Sequence, residues 1–275
     1  MVEQGDLVFV DHEKYYDKAL SSAATTILIN KDVVRPEGKG LLVSDDPFRD
    51  YNRLTRNFGA FQKLSEQISP SASIADSAII QPNVTIGNNV VIGEDCFIQS
   101  GVVVYDNAVI GDRVRIHANA SIGSDAFYYK KRPEGYDKMH TCGSVVIEDD
   151  VEIGALCTID NGVSGITRIG AGSKLDNQVH IGHDTQIGKK CLFAAQVGIA
   201  GCVIVEDNVT LWGQVGIPSD ITIGEGSVVL GQSALMNSVE GGKTWLGSPA
   251  QEARKSFREI AALRRLPEII EKIRN

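Results

Sequence analysis

Every sixth residue of the central stretch is aliphatic. From Ile74 the series runs through Ile80, Ile86, Ile92, Ile98, Val104, Ile110, Ile116 and Ile122. It resumes at Ile147, Ile153 and Ile159. After a slip of phase it continues from Ile169 through Leu175, Ile181, Ile187, Phe193, Ile199, Val205, Leu211, Ile217, Ile223 and Val229 to Leu235. A period of six walks around an α-helix of ~3.6 residues per turn, so no amphipathic helix explains it. Two residues ahead of each position stands a second, smaller class: Ala78, Val84, Val90, Cys96, Val102, Ala108, Val114 and Ala120 in the first block. A spacing of two puts both classes on one face of a strand. Each hexad therefore reads as a short strand and a turn. The glycines that follow many of them, such as Gly87, Gly93, Gly111 and Gly188, are expected to permit the turn conformation. Three hexads close one triangular coil, and stacked coils bury the aliphatic ladder continuously.

The flanks lack this period. Residues 1–67 predict a small α/β domain: strands at LVFV, TTILIN and GLLVS, a helical KYYDKALSS, and a helix opening at Asp46-Pro47, with Asp as cap and Pro in the first turn. The β-helix is expected over 68–240, interrupted by an insertion at 124–143 that carries Phe127, Tyr128, Tyr129 and Tyr136. A loop of that length on a rigid scaffold is functional or disordered, and its aromatics favour function. Residues 241–275 predict C-terminal helices broken at Pro267. From 250 onward seven Lys/Arg face four Glu, a local balance of +3 in a chain of net charge −8. That stretch reads either as a solvated helix face or as a docking surface for an acidic partner.

Composition narrows the function classes. The acidic balance argues against nucleic acid as a partner. No apolar run reaches the ~20 residues of a membrane-spanning helix. The N-terminus has no basic segment followed by an apolar one, so a cytoplasmic location is expected. Five cysteines, an odd number with no CxxC pair, are expected to be small buried thiols.

Candidate chemistry concentrates in residues 175–188, LDNQVHIGHDTQIG, with Asp176, Asn177, Gln178, His180, His183 and Asp184. Both histidines should project outward from the coil. A neutral imidazole is suited to general-base work near neutral pH. One coil beyond His183 lies Gly201, whose bare N–H would sit above the ring, and a base beside an amide donor is what acyl transfer requires. A zinc site on such a scaffold needs three converging imidazoles. His117 lies several coils away from the other two, so no metal is expected.

The segments IGSDAF, VVIEDDVEIGALCTIDNG, LDNQVHIGH, CLFAAQVGIAGCVIVEDNVTLWGQVGI and the exit GSPA resemble the UDP-3-O-(3-hydroxyacyl)glucosamine N-acyltransferases of lipid A biosynthesis, within the hexapeptide-repeat acyltransferase superfamily. GDLVFVDHEKYY and LLVSDDPFRDYNRL extend the likeness into the N-terminal domain. Members of that family begin earlier, with a strand and helix that have no counterpart here. The resemblance implies a mainly β fold, a left-handed parallel β-helix with a small N-terminal α/β domain and C-terminal α-helices, assembled as a homotrimer with sites between subunits. It implies transfer of a (3-hydroxy)acyl group from the 4′-phosphopantetheine of acyl carrier protein to the 2-amino group of a UDP-3-O-acyl-glucosamine, with no further cofactor. It casts His183 as general base, Gly201 as oxyanion donor, and Asp176, Asn177 and His180 as substrate contacts. Asp46, Phe48 and Tyr51 would meet uridine, and Arg254, Lys255, Arg258, Arg264 and Arg265 would dock the carrier protein. Two other readings stand beside it: a nucleotide-sugar N-acyltransferase using acetyl-coenzyme A, and a non-catalytic paralogue that kept the β-helix.

Overall fold

The computed structural model describes residues 2–274 and divides into two units, Met1–Gln62 with Tyr128–Cys142, and Lys63–Phe127 with Gly143–Asn275. In the first unit β1 (Leu7–Val10), β2 (Thr26–Ile29) and β3 (Gly40–Val43) form a parallel sheet, with α1 (Tyr16–Leu20) and α2 (Pro47–Phe58) beside it. Val10, Ile27 and Ile29 make its core. The start of α2 is as expected: the Asp46 carboxylate accepts from the Arg49 N–H at 3.3 Å, and Pro47 occupies the first turn.

The insertion at 124–143 departs from its expected role as a loop of the β-helix. Tyr129–Arg132 and Gly135–Lys138 pair as an antiparallel hairpin that belongs to the first unit. Asn52, buried in α2, accounts for this: its amide donates to the Lys138 carbonyl at 3.1 Å and accepts from the His140 N–H at 2.6 Å. A buried amide keeps its burial only where both ends are paired, and the hairpin supplies both partners.

The second unit is the parallel β-helix. Its strands form three sheets of eight, ten and seven strands, and successive coils pair in register, as in His180↔Gly198↔Gly216 and Leu175↔Phe193↔Leu211. From Ile86 to Leu235 every member of the aliphatic ladder is buried, while Ile74 and Ile80 at the open end are half-buried. The inward class also contains hydroxyls. Ser173, Thr185 and Ser227 are fully buried, yet each donates to a carbonyl of the next coil at 2.9–3.0 Å, so no buried donor is left unmatched there.

Two expectations need correction. Apart from Gly123, at φ +88°, the glycines after the aliphatic positions do not supply the left-handed turn residues. That conformation falls to Asn83, Asn89, Asp95, Gln178, Asp184, Cys202 and their like, all near φ +60°. Gly87, Gly93 and Gly111 provide room instead: a Cβ there would lie 2.3–2.4 Å from an Asp oxygen of the next coil. Nor are all cysteines buried. Cys96, Cys157 and Cys191 point into the ladder at 0–1% exposure, and burial pushes the thiols of the last two up to about 11. Cys202, by contrast, is exposed on a turn, and Cys142 is half-buried in the first unit.

The chain leaves the coil through the antiparallel strands Thr244–Gly247 and Ala250–Glu252 into α3 (Ala253–Arg274). The expected break at Pro267 is absent, and one helix runs through it. A proline ring already has helical φ, and on an exposed helix water can take the carbonyl left without its N–H partner. Among the described residues no helix is long and apolar enough to cross a membrane.

Candidate active site

Register builds the site. Strand His180–Ile181 carries the chain past Gly182 into a turn, where His183 points away from the ladder but is covered, with only 8% of its surface exposed. The cover is Gly201, one coil on. A Cβ at that position would lie 2.4 Å from the His183 Nε2, so the imidazole occupies the space a side chain would need. The ring projects outward from the coil as expected, and stacking then closes it in. The Gly201 N–H donates to no carbonyl among the described residues, unlike the Cys202 N–H beside it, which bonds the His183 carbonyl at 2.8 Å.

The far side of the ring is held by Asp184, whose Oδ2 lies 2.9 Å from Nδ1. Asp184 is anchored in turn: its Oδ2 also accepts from the Val163 N–H at 3.0 Å, and its backbone N–H donates to the buried Thr167 hydroxyl at 2.9 Å. A proton on Nδ1 shared with a fixed carboxylate leaves Nε2, the nitrogen facing Gly201, as the acceptor. Burial disfavours charge on the ring, but hydrogen bonds with Asp184 and Cys202 favour the imidazolium and push His183 up to about 9.

The imidazole opens onto a groove of about 590 Å³. Its floor is the strand column His180, Gly198, Gly216 and Ala234. At both glycines an added Cβ would meet nothing within 4 Å. The equivalent columns on the other two sheets carry Leu192, Thr210 and Val228, or Gln186, Ile204 and Thr222. Of the three columns this one alone is stripped bare, and it lies beside an imidazole. His180 stands at the groove's edge, its Nδ1 2.8 Å from the Thr158 hydroxyl and its Nε2 3.9 Å from Asp160. Asp160 is a buried carboxylate that sequence reasoning did not single out. Burial pushes its carboxyl above the usual range, opposed by the Ser124 hydroxyl at 2.8 Å.

Asp176 and Asn177 do not join His183. They lie in a second groove, of about 550 Å³, on another face, with His117, Lys174 and Trp212. There the Asn177 side chain accepts from the Ala155 N–H at 2.8 Å, and Asp176 accepts from the Asn177 N–H at 2.7 Å. His117 pairs with Glu152 at 2.9 Å. In the first unit Asp46 caps α2 and holds the Arg132 guanidinium at 2.8 Å. Burial acts against its charge, but Arg132 and the Arg49 N–H keep the carboxyl below the usual range. Phe48 is 1% exposed, stacked on Tyr128 at 6.3 Å and edge-on to Phe9, while Tyr51 leans on Phe9 at 4.9 Å. Arg254, Lys255, Arg258, Arg264 and Arg265 are all exposed on α3. Among the described residues three imidazoles do not converge on a metal site. What converges is a mixed set, one donor atom each from His183, Asp184 and Cys202.

Comparison with known proteins follows these two parts of the chain. The profile of the bacterial transferase hexapeptide (six repeats) matches residues 89–124 and 166–201. That of UDP-3-O-(3-hydroxymyristoyl) glucosamine N-acyltransferase, LpxD, matches residues 2–56. UDP-3-O-acylglucosamine N-acyltransferase of Methylobacterium sp. (strain 4-46) is 44% identical over 144 residues, 52% of this chain and 41% of the relative. The Helicobacter hepaticus relative of the same name is 41% identical over 145 residues, 52% of this chain and 44% of its own length. The match thus spans less than half of these curated relatives. Among solved structures, UDP-N-acetylglucosamine O-acyltransferase (LpxA) from Moraxella catarrhalis RH4 aligns with a TM-score of 0.62 at 33% identity, over 70% of this chain and 74% of that one. UDP-N-acetylglucosamine acyltransferase of Francisella novicida gives the same TM-score at 34% identity, over 67% of each chain. With the repeat and the solved relatives in agreement, the chain belongs to the hexapeptide-repeat acyltransferases, and its N-terminal profile and curated relatives are those of the UDP-3-O-acylglucosamine N-acyltransferases.

Proposed function

We propose that this protein transfers a (3-hydroxy)acyl group from acyl carrier protein to the 2-amino group of a UDP-3-O-acyl-glucosamine, in the cytoplasm and with no resident cofactor. One observation carries the reading: an imidazole oriented by a carboxylate, with a free backbone N–H stacked on its other side, facing a groove floored by glycine. In that arrangement the sugar amine attacks the thioester carbonyl and the His183 Nε2 takes its proton. The Gly201 N–H supports the oxyanion. The carbonyl then re-forms as the C–S bond breaks, and the proton passes to the leaving pantetheine thiolate.

The separation of the two grooves supports assembly. Asp176 and Asn177 lie on a different face from His183, so they reach the His183 groove only from a neighbouring copy, and a homotrimer supplies one. For the nucleotide, the first unit offers an aromatic group of Phe9, Phe48, Tyr51 and Tyr128, edged by Lys130 and Arg132, with Asp46 between them. The exposed basic residues of α3 suit an acidic carrier protein.

The test is to incubate the protein with UDP-3-O-acyl-glucosamine and a panel of acyl carrier proteins, and to identify products by mass. An N-acylated product from a carrier-protein donor is expected. Product from acetyl-coenzyme A alone would replace this reading with that of a coenzyme A enzyme, and no product from any donor would leave a non-catalytic β-helix. Single reversals of Arg254, Lys255, Arg258, Arg264 and Arg265 to Glu should weaken carrier-protein use several-fold for at least some positions. The loss should fade at high salt, with little effect on a small acyl-pantetheine donor. Equal losses with both donors would remove α3 as the docking surface.

A further inference from the structure

Acyl transfer uses His183 and Asp184 but leaves Cys202 without a task. This residue is not a core thiol. It is exposed, its backbone is left-handed at φ 62°, and it stands one coil above Asp184, which has φ 56°. Stacking equivalent turn positions brings their side chains together. A ring nitrogen of His183, a carboxylate oxygen of Asp184 and the Cys202 sulfur all lie within 4.8 Å of one another. Two of the three are already held in place. The imidazole is confined by the Gly201 backbone, the Asp184 carboxylate accepts from the Val163 N–H, and the Asp184 backbone N–H is held by the Thr167 hydroxyl of the preceding coil. The Cys202 N–H is bonded to the His183 carbonyl, so the turn that carries the sulfur has a fixed position too.

The donor types decide the class of ligand. Nitrogen, oxygen and sulfur together suit zinc and its soft or borderline neighbours, whereas magnesium and calcium take oxygen alone. Zinc–ligand distances of ~2.0–2.3 Å require donors somewhat closer than the present spacing, a change within reach of a side-chain rotation at the exposed thiol. Three protein ligands would leave a fourth position for water. The geometry points to a binding site for a soft divalent cation, of which zinc is the type, formed by His183, Asp184 and Cys202, and to its occupancy as an off-switch for the base. Binding displaces the thiol proton, and any proton on the coordinating ring nitrogen, to solvent, and nothing is oxidised or reduced. A coordinated imidazole can no longer cycle a proton between amine and thiolate.

The site itself does not depend on the acyl-transfer reading, but the switch does. Full-length protein stripped of metal should therefore be titrated with cobalt(II), whose thiolate complexes show a near-ultraviolet charge-transfer band. One equivalent per chain should produce the band, and zinc should displace it. Cys202→Ala should abolish it, and Asp184→Asn should weaken cobalt binding by at least ~10-fold. Cys142→Ala should leave the band intact. Circular dichroism melts of each variant would separate loss of binding from loss of fold. Zinc should also inhibit acyl transfer by the wild type, with recovery on adding a chelator, and the remaining activity of Cys202→Ser should need at least ~10-fold more zinc for the same inhibition. Absence of the band in the wild type, or its persistence in folded Cys202→Ala, overturns the site. A band that behaves as expected in a protein inactive with every donor would keep the site and discard the acyl-transfer reading.

Discussion

Two turn columns rise side by side from the coil at residues 175–188, and they handle repetition in opposite ways. In the first, Gln178, Gln196, Gln214 and Gln232 stack at one register, each near φ +60°, and each amide donates to the amide oxygen of the previous one at 2.8–2.9 Å. In the second, one register on, the column reads His183, Gly201, Ser219. A repeated amide finds its partner in its own copy one coil away, so that column is self-sufficient and offers a ligand little. The second column changes at every coil, and an imidazole and a backbone N–H lie along a groove. On a scaffold built by repetition, the departure from the repeat marks the chemistry.

The sharpest way to break this contrast is His183→Ala. It should cost at least ~10²-fold in turnover, the lower end for losing a general base, while His180→Ala costs much less. His183 is buried against a turn and lies outside the aliphatic ladder, so the β-helix should persist in both variants, as circular dichroism would show. A larger loss from His180→Ala would move the base to the other histidine.

Gly201→Val comes next. The new side chain would enter the ring's space, only 2.4 Å from Nε2 at its Cβ, so it displaces the base as well as crowding the thioester. Turnover should approach that of His183→Ala, and Gly201→Ala should fall on the same side, since its methyl is the atom that collides. Wild-type rates for Gly201→Ala would show that the imidazole can move aside without loss.

The pH profile separates orientation from mere proximity. With His183 raised to about 9, the neutral base becomes available only as pH rises, so kcat/KM should climb from neutrality toward that value. Asp184→Asn removes the carboxylate that favours the imidazolium and should shift this limb to lower pH, with a reduced plateau. The same linkage bears on stability. A folded-state value above the ordinary 6.5 stabilises fully below pH 6.5, and the gain is lost as pH rises through about 9. A limb that stays in place in Asp184→Asn would assign it to another group.

The smallest expected effect belongs to the repeated column. Gln196→Ala removes two exposed amide contacts and should lower stability by no more than about 1 kcal/mol, measured by chemical denaturation, with activity unchanged. An activity loss like that of Gly201→Val would erase the distinction between the columns.

Much of this was legible in the chain because a β-helix turns sequence distance into spatial contact. The sixfold ladder named its buried residues from Ile86 to Leu235. Adding one coil to His183 found Gly201, and the same step from Asp184 reaches Cys202, a signal available but masked by treating all cysteines as core thiols. Asp160 was hidden by irregularity. Its strand partners the His180 strand at a separation of 22 residues instead of one regular coil, so counting by eighteens misses it.

What the sequence by itself determined is whatever depends on period: the strand face, the stacking register, and the pairing of His183 with a bare glycine. Only the tertiary structure decided which way non-repeating segments go. The hairpin at 129–138 joins the N-terminal unit because Asn52 needs its two backbone partners, and no periodic rule announces a contact across eighty-six residues. Asp176 and Asn177, close to His183 in sequence, turn onto another face, because a triangular coil changes direction at each turn. Burial of the imidazole likewise arises from stacking, which brings the Gly201 backbone and the Cys202 thiol to a ring from which they are remote along the chain; the thiol and the adjacent Asp184 raise its pKa against that burial.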